Sequence, residues 1–170
     1  MRVPDDGLRH ELEAGVLVVE PPRFPRQAQI QAEIASILHG FVERHRLGVV
    51  LIETGYILSR DPDTLRGPDV SFVRRERFDP EEAGHSYIRG GPDLAVEILP
   101  PSNRPGEMRG KVADYLAAGS RLVWVIDPAR EMVTIYRTLL APRRVGRDGT
   151  LDGEDVLPGL SISVAELLAP

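Results

Sequence analysis

The chain has 170 residues, the length of one ordinary domain with a single core. Hydrophobic residues make up 42% and charged residues 28%, which is typical of a folded globular protein and excludes a disordered chain. The net charge of −5 argues against a broad basic surface for nucleic acid, and the absence of cysteine excludes disulfides, thiolate zinc sites and cysteine nucleophiles.

No apolar run approaches the ~20 residues that a membrane helix requires. The first ten residues lack the apolar centre of a signal peptide. We therefore expect a cytoplasmic protein without a membrane partner. Because no repeat or linker interrupts the chain, residues 1–170 are interpreted as a single domain.

The first half of the chain predicts a short strand, a long helix and two further strands. The apolar run 16–19 predicts a strand that ends at Pro21 and Pro22. Apolar residues at helical spacing predict a helix from about 26 to 46, closed by Gly48. Strand-like stretches follow at 49–58 and 68–73.

The second half predicts a strand, a helix and a strand in succession. The strand 93–99 precedes a helix over 106–118, and the apolar strand 122–126 follows. This order implies a parallel pair with a right-handed crossover. A strand at 131–137, a loop-rich remainder and a short helix near 163–168 complete an α/β (α+β) fold, a mixed sheet flanked by helices.

After its first residue, Asp93, the apolar strand 93–99 contains one acid, Glu97. A carboxylate in a buried strand is costly unless it is paired, hydrogen-bonded or bound to a metal. A salt bridge to an arginine, or a strand end that reaches water, would also explain it.

Asp69 opens the strand 68–73 directly after Pro68. The Pro-Asp pair is weak evidence alone, since it occurs four times in this chain. Neighbouring strands could nevertheless bring Asp69 and Glu97 within reach of one hard divalent cation, which prefers oxygen ligands. The backbone carbonyl of Ile98 could supply a third ligand.

Lys111 is the only lysine in a chain that otherwise uses arginine. An ammonium is a compact charge whose pKa can shift, whereas a guanidinium is broad and permanently protonated. Such an ammonium can position the attacking water or neutralise charge on a phosphate. Lys111 flanks the apolar stripe of its helix. The alternative is an ordinary surface pair with Glu107 at i, i+4.

Other polar residues are ranked lower. We interpret Asp93 as an acid that starts a strand; the alternative is a supporting group of the site. We interpret Glu33 as a solvated residue; the alternative is a secondary metal ligand. The histidines show no metal-ligand spacing, and Tyr115 and Trp124 are assigned to the core. Solvated surface is favoured over phosphate contacts for two arginine groups: Arg74, Arg75 and Arg77, and Arg143, Arg144 and Arg147.

Four segments of the chain resemble the Uma-type family of endonucleases, long described as a domain of unknown function within the PD-(D/E)XK nuclease superfamily. They are Gly-Pro-Asp-Val-Ser-Phe-Val at 67–73, Gly-Pro-Asp-Leu-Ala-Val-Glu-Ile-Leu-Pro-Pro-Ser at 91–102, Lys-Val-Ala-Asp-Tyr-Leu-Ala-Ala-Gly at 111–119 and Trp-Val-Ile-Asp-Pro at 124–128.

The resemblance implies a restriction-endonuclease-like fold, Mg²⁺ dependence and homodimers. It makes Asp69 and Glu97 the metal-binding acids. The usual superfamily lysine would fall on Leu99, but in this family it comes from the next helix, which matches Lys111. Three positions depart from the family pattern, with Gln27 replacing a common histidine, Pro100 a serine and Asn103 an aspartate.

These observations predict hydrolysis of phosphodiester bonds in nucleic acid, with DNA favoured as the substrate. Mg²⁺, with Mn²⁺ as a possible substitute, would bind Asp69, Glu97 and the carbonyl of Ile98, and Lys111 would position the nucleophile. The alternative is a catalytically silent binding or assembly module with the same fold, which the negative net charge favours.

Overall fold

A six-stranded mixed sheet and a five-stranded sheet organise the computed structural model, which describes residues 8–20, 22–101 and 105–169. The elements in chain order are β1 (Arg9–Glu13), β2 (Val16–Glu20), α1 (Pro25–His45), β3 (Gly48–Ile52), β4 (Tyr56–Ser59), β5 (Thr64–Arg66), β6 (Val70–Arg74), a 3₁₀ turn (Arg75–Arg77), β7 (Ile88–Arg89), β8 (Leu94–Ile98), α2 (Pro105–Ala117), β9 (Leu122–Asp127), β10 (Met132–Tyr136), β11 (Arg143–Gly146), β12 (Thr150–Gly153), β13 (Leu157–Ser163) and α3 (Val164–Leu167).

The six-stranded sheet has the strand order β11-β10-β9-β8-β6-β3. Strands β8 and β9 are parallel and α2 connects them, whereas the other neighbours are antiparallel. The predicted parallel pair joined by a helix, and the mixed sheet flanked by helices, are therefore confirmed.

Alternate residues of β8 serve opposite faces of this sheet. Leu94, Val96 and Ile98 belong to a core that includes the apolar side of α1. Ala95 belongs to a smaller core with Val112 and Tyr115 of α2. By this alternation Glu97 lies on the α2 face. No helix in the described part of the chain is long and apolar enough to cross a membrane.

The five-stranded sheet has the order β2-β1-β5-β4-β7 and begins with an N-terminal hairpin. The chain reverses between β1 and β2 at Ala14 and Gly15, which both have positive φ. Leu12 of β1 pairs with Leu65 of β5, and β4 contacts α2. This sheet therefore brings the N-terminal hairpin close to the α2 face of the six-stranded sheet.

Several parts of the chain differ from the predictions, among them β1, β5 and β7, which were not predicted as strands. The stretch 49–58 is not one strand but β3 and β4, which lie in different sheets, because Glu53 adopts a left-handed φ of 51° that ends the first strand. The region after 137 was predicted as loop, but it contains β11, β12 and β13. These strands are only partly buried, so their apolar pattern in the sequence is weak.

Candidate active site

Asp69 and Glu97 lie at the same end of two neighbouring strands. Val70, the first residue of β6, pairs with Val96 in the antiparallel register of β6 and β8. Asp69 directly precedes Val70, and Glu97 directly follows Val96. Both side chains are buried, with 1% of Asp69 and 3% of Glu97 exposed.

Asp69 is held through both carboxylate oxygens. Its Oδ2 accepts a hydrogen bond from the Ile98 N–H at 2.7 Å, which ties the start of β6 to the end of β8. Its Oδ1 forms an ion pair with the guanidinium of Arg23, a loop residue just before α1. The buried charge of Asp69 is thus compensated by a cation and by a backbone donor, as burial requires.

Glu97 is held from α2 by Tyr115. The phenol O–H of Tyr115 donates to Glu97 Oε1 at 2.7 Å, and the Tyr115 side chain is fully buried. The assignment of Tyr115 to the core is correct for its ring, but the hydroxyl belongs to this site. The sequence contains one indication of this contact, which is recognisable only once the structure is known. Tyr115 lies one helical turn after Lys111, so the two side chains are neighbours on the helix.

Lys111 lies in α2 on the same side, with its ammonium directed at the N-terminal hairpin. The Nζ atom is 3.0 Å from Glu11 Oε2 and also pairs with Glu20 Oε1, and only 5% of Lys111 is exposed. These contacts replace the surface pair with Glu107 that was the alternative interpretation. Burial, the largest single influence, lowers the pKa of Lys111, but the carboxylates of Glu97, Glu11 and Glu20 together outweigh it and hold that pKa above its ordinary value.

Two buried glutamines of α1 bind the backbone at the same strand ends. Gln27 Nε2 donates to the carbonyl of Ile98 at 3.1 Å, and Gln31 Nε2 donates to the carbonyl of Asp69 at 2.9 Å. Gln27 replaces the histidine common in the family pattern, yet it contacts the carbonyl that was predicted as a metal ligand. Neither residue was singled out for a role, because an isolated glutamine in a helix carries no recognisable motif.

A second buried cation, Arg66, extends the site beneath the hairpin. Its NH1 atom lies 3.2 Å from Glu11 Oε2, its NH2 atom lies 2.7 Å from Asp114 Oδ2, and only 1% of the residue is exposed. Glu11 also accepts from the Gly67 N–H at 3.0 Å. Glu11 therefore contacts both Lys111 and Arg66, which links the first strand to α2.

The oxygen atoms at these strand ends are the type of ligand atom that a hard divalent cation binds. Asp69, Glu97 and the carbonyl of Ile98 are all oxygen donors, the ligands that Mg²⁺ accepts while it keeps several waters. Within residues 8–20, 22–101 and 105–169, no group of three or more His, Asp or Glu side chains could form a metal cage by itself. A metal held here would therefore depend on two carboxylates, one carbonyl and water.

Asp93 lies at the opposite end of β8, away from this site. Its Oδ2 accepts from the Arg74 N–H and from Arg77 NH1, both at 3.0 Å. Because these contacts fasten the beginning of β8, they agree with the interpretation of Asp93 as an acid that starts a strand. Arg74 and Arg77 are thereby engaged in structural pairs, which departs from the solvated surface expected for them.

The remaining candidates lie outside the site. Glu33 is exposed on α1, as expected for a solvated residue. Arg143 and Arg147 form exposed ion pairs, which agrees with a solvated surface. Asn103 lies outside the described residues.

Comparisons with known proteins agree with this architecture. A crystal structure of a protein from Anabaena variabilis ATCC 29413, described as a "putative nuclease belonging to DUF820", superposes with a TM-score of 0.86 over 98% of this chain and 93% of that chain. At 22% sequence identity this likeness shows the fold alone, and it confirms the fold prediction. No curated protein matches the chain. The model of the Uma2 family, described as "Putative restriction endonuclease", matches residues 1–165. Since that match covers nearly the whole chain, the protein belongs to the Uma2 family.

Proposed function

We propose that this protein is a metal-dependent endonuclease that hydrolyses phosphodiester bonds in DNA. The observation that carries the proposal is the pair of buried carboxylates, Asp69 and Glu97, at the same end of two neighbouring strands. Ile98 follows Glu97 in β8, and the charge of Glu97 influences the ammonium of Lys111. Membership of the Uma2 family supports a nuclease function in general terms.

Asp69, Glu97 and the carbonyl of Ile98 are the groups that would hold Mg²⁺, or Mn²⁺ in its place. When bound, such an ion supplies an activated water molecule and offsets the negative charge that develops on the phosphate oxygens. Tyr115 fixes one oxygen of Glu97, and Gln27 fixes the orientation of the Ile98 carbonyl. These contacts orient the ligands before substrate binds.

Lys111 would act as a permanent cation beside the reacting phosphate, with the attacking water positioned near its ammonium. Burial lowers the pKa of Lys111, and the carboxylates of Glu97, Glu11 and Glu20 together raise it above the ordinary value. Glu11 and Glu20 fix its position from the N-terminal hairpin.

The experiment that tests this function compares the parent protein with Asp69→Asn and Glu97→Gln. Titration calorimetry would measure Mn²⁺ and Mg²⁺ binding, and gel assays would measure cleavage of plasmid DNA, short duplexes and RNA. We expect each substitution to weaken cation binding by at least about tenfold and to reduce cleavage by more than about a hundredfold, because each removes one ligand charge.

Asp93→Asn is the matched control, since Asp93 is an equally buried carboxylate at the other end of β8. Circular dichroism would establish that each variant is folded. Cleavage at the parent rate in Asp69→Asn or Glu97→Gln would contradict the proposal. A parent protein that binds no divalent cation and cleaves none of the substrates would instead support the silent binding module.

The expected homodimer is a separate part of the proposal. It rests on the family resemblance, and sedimentation velocity on the purified protein would test it. A monomer at micromolar concentrations would contradict it without affecting the assignment of the site.

A further inference from the structure

Arg23 connects the candidate site to the solvent. Its Nε atom lies 2.8 Å from Glu53 Oε1, and its NH2 group pairs with Asp69 Oδ1. The side chains of these three residues are exposed by 42% for Glu53, 15% for Arg23 and 2% for Asp69. The guanidinium therefore bridges an outer and an inner carboxylate.

The inner contact of Arg23 involves Oδ1 of Asp69. The other oxygen, Oδ2, already accepts the Ile98 N–H within the sheet. The guanidinium of Arg23 therefore lies between Oδ1 of the buried Asp69 and the exposed carboxylate of Glu53. An arginine at this point competes with any cation for the same oxygen.

The outer contact of Arg23 is fixed independently of the Asp69 carboxylate. Glu53 Oε1 also accepts from Gln31 Nε2 at 3.1 Å, and the Glu53 N–H donates to the Asp69 carbonyl at 3.3 Å. If the inner contact were lost, Glu53 would still hold the Nε side of the guanidinium beside the site. The NH2 group of Arg23 would then be available to a ligand that binds next to Asp69.

We propose that Arg23 is the phosphate-binding residue of this site and exchanges Asp69 Oδ1 for a phosphate oxygen of the nucleic acid. A guanidinium binds phosphate oxygens through well-directed N–H groups and stays charged at all relevant pH values. The inference rests on the proposed function, because it assumes that nucleic acid and a divalent cation bind here. It predicts effects of opposite sign on the two ligands.

The substitution Arg23→Ala should strengthen the binding of a divalent cation and weaken the binding of DNA. Cation affinity should rise several-fold, because a competing positive charge has been removed from Asp69. DNA affinity in Ca²⁺, a hard cation with the same preference for oxygen, should fall by about tenfold, since one charged hydrogen bond is lost. The slope of log affinity against log salt should become shallower by about one.

Titration calorimetry with Ca²⁺ and Mn²⁺, and fluorescence anisotropy of a labelled DNA duplex in Ca²⁺ over a salt series, measure these quantities. Gel analysis would establish that the duplex stays intact. Arg23→Lys keeps the charge but has one compact ammonium, so it should keep most of the salt slope and lose part of the affinity. Arg121→Ala is the matched control, because Arg121 is a partly exposed arginine paired with Asp155 near the start of β9.

The inference is overturned if Arg23→Ala binds DNA with the parent affinity and salt slope. It is also overturned if Arg23→Ala loses cation affinity, as Asp69→Asn should, since Arg23 would then only support Asp69. A parent protein that binds no divalent cation would overturn both the proposed function and the exchange. If cation binding is lost in Asp69→Asn but unchanged in Arg23→Ala, the exchange at Arg23 is overturned and the proposed function is not.

Discussion

Two regions of this protein use arginine and acidic residues in opposite surroundings. In the inner charge cluster, comprising Glu11, Arg66, Lys111 and Asp114, both cations and Glu11 are buried. In the outer ion pairs, Arg137, Arg143 and Arg147 bind acids of the C-terminal region at the surface. The chemical groups are largely the same, so the comparison isolates the effect of burial. Exposed ion pairs contribute little to the free energy of unfolding. Breaking a buried pair costs more, because it leaves one charge buried without a partner and without water.

The largest effect should follow removal of the buried guanidinium of Arg66. Arg66→Met leaves Glu11 without one of its cations and removes the hydrogen bonds to Asp114. We expect a loss of about 3–5 kcal/mol in the free energy of unfolding, measured by urea denaturation at neutral pH. Arg143→Met is the control from the outer ion pairs and should change stability by about 1 kcal/mol or less. Equal losses in the two variants would contradict the comparison.

A smaller effect should come from Tyr56, which is fully buried and bonded through its hydroxyl to Ser71 at 2.8 Å. Tyr56→Phe should lose about 1 kcal/mol at about pH 8, because the Ser71 hydroxyl loses a partner. Burial, the largest cause, raises the pKa of Tyr56 above its ordinary value. The unfolded chain releases this proton at about pH 10 and the folded protein does not, so stability falls as pH rises above that value.

Urea denaturation of the parent and of Tyr56→Phe at about pH 8 and about pH 11 separates the two contributions. The parent should lose more stability than the variant over this interval, because only the parent has the phenol. An equal loss of stability in both proteins would mean that groups other than Tyr56 cause the fall in stability at alkaline pH.

The smallest effect concerns Asp155 in the outer ion pairs. The hydrogen bond from Arg137, the largest cause, holds the pKa of Asp155 below its ordinary value. This pair therefore stabilises the fold above the ordinary pKa of an aspartate, and the stabilisation is lost as pH falls through the lowered value. In Arg137→Gln the pKa of Asp155 should move upward, as followed by NMR titration of its carboxyl carbon. Arg121 still contacts Asp155, so the pKa of Asp155 should return only partly to its ordinary value. Arg147→Gln should leave this pKa unchanged, and an unchanged pKa in Arg137→Gln would show that Arg121 dominates.

The centre of the fold could be predicted because its strands are continuous apolar runs. The run 93–99 and the run 122–126 predicted β8 and β9, and the helix between them required a parallel pair. Within that frame, a lone acid such as Glu97 was conspicuous. Lys111 was conspicuous because of its unique residue type. The catalytic roles of Asp69, Glu97 and Lys111 stay predictions.

The supporting contacts could not be predicted, because they join residues that are distant in sequence. Glu11 and Arg66 are 55 residues apart, and Gln27 and Ile98 are 71 apart. Nothing near either residue of such a pair indicates its partner. The break at Glu53 was missed for a different reason, since a left-handed φ at a glutamate has no sequence signal comparable to that of glycine.

The hydrogen bond from the Ile98 N–H to Asp69 Oδ2 has a spectroscopic consequence. This amide donates to a side-chain carboxylate, so its proton resonance depends on the charge density of that carboxylate. Any ligand that withdraws charge from Asp69 weakens this hydrogen bond and should shift the Ile98 amide resonance. One assigned backbone signal would thus report occupancy of the site without a substrate or turnover.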